Sequence, residues 1–130
     1  MIITTKPLNQ NRMKANELRI GNIVSMHRYI GNYWSWTFIS HEDIYSIACG
    51  NEKNYNPIPL TEEWLLKFGA KELNAKRDVL KEFVLKTVRI EMSNSGNFYY
   101  KNSKLILESV HQLQNLYFAL TGKELTFKSE

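Results

Sequence analysis

SVHQLQNLYFALTG, residues 109–122, is the stretch on which the fold turns, and it contains no charged residue. Ser109 and Gln112 have the spacing of a capping box, in which a serine hydroxyl and a glutamine side chain each satisfy a backbone N–H that the first helical turn leaves orphaned. Gly122 stands where a helix commonly ends in the left-handed conformation, so a helix is predicted over Val110 to Thr121, about three turns long. Val110, Leu113, Leu116, Tyr117 and Leu120 recur at helical spacing and form an apolar stripe that should cover a sheet. The other side presents His111, Gln114, Asn115 and Phe118 at i, i+3, i+4 and i+7, where a surface helix would ordinarily carry lysine and glutamate.

Three readings of that strip stay open. Another segment of the chain, the N-terminal residues or the loop near 70–82, can lie over it, its backbone held by the amides. A protein partner can dock there, because uncharged and aromatic surface suits the centre of an interface. A nucleic-acid base can stack on Phe118. His111, Gln114, Asn115 and Phe118 are therefore the candidate binding residues.

Upstream of the helix, residues 83–92 are rich in β-branched and apolar residues and are predicted as one strand. Asn94 to Asn97 give a turn, Phe98 to Tyr100 a short strand, Lys101 to Ser103 a second turn and residues 104–109 a third strand, together an antiparallel meander. Residues 70–81 are expected to be a loop with some helical content. In PIPLTEEWLLKFG (57–69), Thr61 suits the N-cap, Glu62 and Glu63 favour the first turn, Leu60 can staple onto Leu65, and Gly69 ends a short helix. Residues 18–28 and 33–40 read as a hairpin turning through Tyr29, Ile30, Gly31 and Asn32; residues 41–49 either extend that sheet or hold one helical turn, and a strand over Ile44 to Ala48 is the preferred expectation. The expected fold is α+β: an antiparallel, partly barrel-like sheet of about five strands with two short helices, the C-terminal helix packed on the sheet. A split barrel with SH3-like curvature is the rival, and pattern alone leaves the connectivity open.

At 130 residues and 43% hydrophobic content, the chain can build a core without disulfides or metal. A single domain is expected over 13–130, with 1–12, polar and poorly patterned, as a dispensable N-terminal extension. Cys49 is the only cysteine, which excludes an intramolecular disulfide and a zinc site built from several cysteines of one chain, and fits a reducing compartment. No stretch has the pattern of a signal peptide or approaches the roughly eighteen apolar residues of a membrane span, so a soluble, cytoplasmic protein without membrane contacts is the expectation.

Charge is uneven along the chain. Residues 1–28 hold five Lys/Arg against Glu17, 29–70 hold two against five acids, and 71–89 hold six against three. Lys71, Lys76, Arg77 and Lys81 are accordingly the candidate basic patch, for phosphate or an acidic protein surface; a solvated, mildly basic surface is the alternative. Trp34, Trp36 and Phe38 near Arg28, and Phe98, Tyr99 and Tyr100 near Lys101 and Lys104, have the interleaving of base-stacking sheets, although small cores need the same aromatics. His27, His41 and His111 show no local metal-ligand spacing, and neither a nucleophile-elbow motif nor a phosphate-binding glycine loop occurs. His41, Glu42 and Asp43 would alternate across a strand and could not converge on one atom. No catalytic residue, metal site or cofactor is assigned, and the chain is expected to be a non-enzyme.

MKANELRIGN (13–22), PIPLTEEWLLKFG (57–69) and VHQLQNLYFALTGKEL (110–125) resemble segments of a group of small, functionally uncharacterised proteins encoded by phages, prophages and integrated mobile elements. The resemblance runs in order over most of residues 13–128. Those proteins begin at the equivalent of Met13, which implies that residues 1–12 are an added start. The group carries no assigned activity, so no functional residue transfers. What it implies is a partner class: a host protein effector or its ribonucleoprotein complex, met in the host-cell cytoplasm and bound stoichiometrically, as by an anti-CRISPR-like inhibitor of an RNA-guided nuclease. A single-stranded DNA or RNA-binding accessory module, and a structural or assembly protein of the element, are the competing expectations. Homo-oligomeric state is left open.

Overall fold

The computed structural model describes residues 2–3, 13–73 and 79–128. The chain is α+β with antiparallel strands, and it divides into two compact units, Met1–Pro59 with Ser109–His111 and Leu60–Glu108 with Gln112–Glu130. Among the described residues the single sheet expected from the sequence is thus two sheets, of four and five strands, with no closed barrel.

In the first unit the expected hairpin forms. With β1 at Ile2–Ile3, β2 spans Ile23–Arg28 and β3 spans Tyr33–Phe38, in a register that runs from Ile23↔Phe38 to Arg28↔Tyr33. β1 pairs with β3, and β4 (Tyr55–Asn56) pairs with β2. The expected extension 1–12 therefore contributes a sheet edge through Ile2 and Ile3, whereas 4–12 lie outside the described residues. Val24 and Tyr55, from neighbouring strands, pack in one cluster with Met13, Leu18, Ile39 and Ile47.

The strand expected over Ile44 to Ala48 is instead the end of a helix, α1 (His41–Ser46), continued by a π-type turn, Ile47–Asn51. Local capping overrides the β-rich composition. Ser40 Oγ accepts the Asp43 N–H at 3.3 Å, and the Asp43 carboxylate accepts the Ser40 N–H at 2.8 Å. Ile44 and Ile47, three residues apart, then face the core while Tyr45 stays exposed, a helical and not an alternating pattern. The Tyr55 hydroxyl donates to Asp43 Oδ1 at 2.7 Å. Burial and this bond push the Tyr55 phenol up to about 12. Burial alone would raise Asp43, but hydrogen bonds from Ser40 and Tyr55 outweigh it and hold the carboxyl below its ordinary value.

The second unit is a meander: β5 (Lys71–Leu73), β6 (Val79–Leu85), β7 (Val88–Ser93), β8 (Phe98–Tyr100) and β9 (Ile106–Leu107), each antiparallel to the next. Two corrections apply here. Residues 83–92 are a hairpin and not one strand, because the chain reverses at Lys86 and Thr87 with Leu85 opposite Val88. Lys86 takes φ 55°, a left-handed conformation that the lysine type does not advertise. The expected loop over 70–81 contributes β5 and the start of β6, and residues 74–78 lie outside the described ones. The short helix α2 (Glu62–Lys67) begins as expected, with Thr61 Oγ1 accepting the Trp64 N–H at 3.5 Å and with Leu60 and Leu65 both buried. The C-terminal helix α3 (Val110–Thr121) packs on the sheet, so the described residues hold three α-helices where two were expected.

Glu82 is buried in the middle of β6, directly opposite Glu91 on β7, an arrangement of like charges that would be unfavourable alone. Arg89 Nη1 at 2.8 Å and Lys101 Nζ at 3.0 Å neutralise it, and Glu91 Oε1 accepts the Asn102 N–H at 3.3 Å. Desolvation pushes the Glu82 carboxyl upward, but Lys101 and Arg89 together outweigh it, and the net displacement is below the ordinary 4.5. A lowered folded-state value means that the contribution of this triad to stability is complete above that ordinary value and is lost as pH falls through the folded one. Glu82→Gln should cost about 1–3 kcal/mol near neutral pH. It should also flatten the acid limb of stability measured by denaturant melts from about pH 7 to 3, Asp43 supplying the slope that remains. An unchanged acid limb would remove the triad from this account.

Candidate protein-binding surface

Helix α3 has the bounds read from the sequence, but its faces are distributed differently. Gln112 Oε1 accepts the Glu108 N–H at 2.7 Å, one residue earlier than a standard capping box requires, and the Gly122 N–H closes the helix on Phe118 O at 2.8 Å with φ +73°. Val110, Leu113 and Tyr117 are buried, as expected of the apolar stripe; Leu116 is half-buried and Leu120 is 48% exposed, so the stripe does not continue through the last turn.

The four candidate strip residues part company. His111 and Gln114 are buried, Asn115 is half-buried, and Phe118 is 38% exposed. They do not form one open surface. The side of α3 that meets solvent holds Gln112, Phe118, Ala119 and Leu120, with Asn115 and Leu116 partly accessible and no charge among them. His111 Nδ1 lies 3.1 Å from Ser109 Oγ, and the two residues that open the helix therefore share a buried polar contact.

The candidate basic quartet is also divided. Lys71 is exposed on β5, while Lys76 and Arg77 lie outside the described residues. Lys81 is held between two carboxylates, Glu62 Oε2 at 3.1 Å and Glu72 Oε1 at 3.4 Å, and the hydrogen bond to Glu62 is the main cause of its raised pKa. Of the aromatics weighed for base stacking, Trp34 and Phe98 are buried and Trp36, Tyr99 and Tyr100 half-buried; Phe38 is 52% exposed. Lys101 is engaged with Glu82. His41 and Glu42 are largely exposed on α1, 3.9 Å apart, and Asp43 is occupied by the cap and by Tyr55. Among the described residues no group of three or more His, Cys, Asp or Glu could hold a metal ion, and no helix is long and apolar enough to cross a membrane.

A feature that the sequence reading passed over as turn residues is the tip of the β2–β3 hairpin. Ile30 is 94% exposed and Tyr29 69% exposed. The tip is held in one shape from several directions. The Tyr29 hydroxyl donates to Asn54 Oδ1 at 2.6 Å, and the Asn32 N–H donates to Tyr29 O at 3.2 Å. His27 Nε2 donates to Asn32 Oδ1 at 2.8 Å, which requires the Nε2–H tautomer, and the His27 ring stands edge-on to Tyr29 at 4.9 Å. Gly31 and Asn32 both have positive φ, and a Cβ on Gly31 would meet the Tyr33 ring at 3.0 Å, so no other residue fits there without displacing that ring. The signal was present in the sequence: a hairpin turn that needs only polar residues and glycine carries a tyrosine and an isoleucine.

Burial lowers the His111 pKa, while the charge of Glu17 pulls weakly the other way. A lowered value means that the unfolded chain takes up the proton first, so stability is complete above the ordinary 6.5 and falls as pH drops from there through the folded-state value. Melting temperature should therefore fall between about pH 7.5 and 5.5 in the wild type and much less in His111→Gln. Equal falls in the two would place His111 outside this pH response. Comparison of the chain with family models, with curated proteins and with solved structures finds no match.

Proposed function

We propose that this protein acts by occupancy, docking onto a protein partner through the tip of the β2–β3 hairpin. The observation that carries the reading is Ile30, almost wholly exposed on a turn whose backbone and neighbours are fixed by hydrogen bonds. An apolar side chain pays no desolvation penalty on entering a partner's pocket, and a turn already ordered loses little entropy on binding. Tyr29 beside it supplies the large, amphipathic contact that interface centres favour. The uncharged outer side of α3, with Leu120 and Ala119 exposed, supports the same class of activity on the second unit.

The partner to test first comes from the resemblance to phage- and prophage-encoded proteins: a host defence effector, in the first instance an RNA-guided nuclease or its ribonucleoprotein complex, which this protein would inhibit in the host cytoplasm. The nucleic-acid reading has less support, because Ile30 offers nothing to a phosphate backbone and most of the aromatics near basic residues are at least half-buried.

Ile30→Asp should change stability by less than about 0.5 kcal/mol, as an exposed substitution does, and should abolish capture of the partner from host lysate. Capture should survive nuclease treatment of the lysate. Phe118→Asp, made in parallel, reports whether α3 takes part in the same contact. A partner retained by Ile30→Asp would end the hairpin reading, and a partner lost on nuclease treatment would favour nucleic-acid binding instead.

A further inference from the structure

A cavity of about 290 Å³ lies within the second unit, where residues 124–128 run beside the end of α2. The Lys128 N–H donates to Lys67 O at 2.7 Å, which ties this segment down, and Gly69, with φ +91°, turns the chain beneath it. One wall is aromatic. Phe68 and Phe127 stack nearly parallel, with centroids 5.3 Å apart and planes at 8°, and Trp64 flanks both rings at 6.1 and 6.3 Å. Leu85 adds a further apolar surface.

The polar side chains that line this cavity are mostly donors. Tyr117 is only 3% exposed and lines the cavity, and its hydroxyl makes no hydrogen bond among the described residues. Lys86, carried on the β6–β7 turn, and Lys128 also line it, and neither ammonium is in an ion pair among the described residues. Glu124 adds one carboxylate to the same rim, and with the two ammoniums the charged side chains there keep a net positive sum. A hydroxyl and two ammoniums with no protein acceptor among the described residues, beside an aromatic and aliphatic wall, form a site complementary to a planar body that ends in negative charge. The volume lies at the lower end of the roughly 300–1,000 Å³ typical of small-molecule sites and accommodates a single ring.

We propose that this cavity binds a small aromatic anion, a single-ring carboxylate or phosphate, with Tyr117 donating to the anion, Lys86 and Lys128 compensating its charge, and Phe68 and Phe127 receiving the ring. The site is independent of the hairpin reading, since it uses residues of the second unit alone.

Titration calorimetry on the full chain with phenyl phosphate and phenylacetate tests the proposal. At least one of them should bind saturably, with a dissociation constant of about 1 mM or tighter, and inorganic phosphate and benzyl alcohol should each bind at least about tenfold more weakly. Tyr117→Phe removes only the unpartnered hydroxyl and should leave the fold intact by circular dichroism while weakening binding about tenfold. The surface double variant Lys86→Gln, Lys128→Gln should weaken it by at least as much. Absence of saturable binding for both aromatic anions, equal binding of inorganic phosphate, or affinity unchanged in both variants would each overturn the assignment.

Discussion

Pro59 opposite Ser109 is the pairing that holds the segment leading into α2 beside the segment leading into α3. The Leu60 N–H donates to Glu108 O at 3.0 Å and the Val110 N–H donates to Ile58 O at 2.9 Å, so Pro59 occupies the non-hydrogen-bonded position of an antiparallel bridge. A proline has no N–H to lose there, and its fixed φ keeps the strand extended. Two helices start directly after the paired segments. Thr61 and Ser109 fall just beyond or within it, and α2 and α3 begin at the next residues. A shift of one residue in this pairing would exchange inward and outward side chains on both sides of the bridge, and Leu60 and Val110, both buried, would lose their places.

Buried polar groups are handled locally in each unit. Asp43 is satisfied by Ser40 and Tyr55, and Glu82 by Arg89 and Lys101. Both carboxylates are held ionised at neutral pH by their partners, so their perturbation marks structural networks, and neither has the raised pKa of a carboxylate poised as a general acid. The chemistry that remains available to an outside molecule is of a different kind: an exposed apolar tip at Ile30, an uncharged helix side, and a cavity whose Tyr117 hydroxyl and two lysines have no protein acceptor among the described residues. These features suit recognition by shape and charge.

The sequence by itself determined the elements whose signals are short in range. Thr61 with Glu62 and Glu63 fixed α2, the span from Ser109 to Gly122 fixed α3, and glycine-bearing turns fixed the β2–β3 hairpin and the link between β7 and β8. It also fixed the antiparallel α+β class, because strands joined by such short turns can pair in no other sense. The same kind of local signal, the Ser40–Asp43 box, stands at α1, where the isoleucines and tyrosine that follow it suit a strand equally well. The reversal at Lys86 and Thr87 had no such signal, since neither residue type favours the left-handed turn that Lys86 adopts.

Only the tertiary structure decided which side chains face inward and which meet solvent. Helical spacing places His111, Gln114, Asn115 and Phe118 on one side of α3, but burial is a property of what surrounds a helix, and it took the first two and left Phe118 partly open. Likewise Lys81 carries the charge its sequence position suggests, yet Glu62 and Glu72, distant along the chain, consume it. The cavity beside Tyr117 joins residues that follow α2, the end of β6 and the β6–β7 turn, α3 and residues 124–128, and no spacing in the sequence announces that meeting. Periodicity acts through neighbours within one or two turns of the backbone, whereas a site is made by groups that only folding brings within a few ångströms of one another.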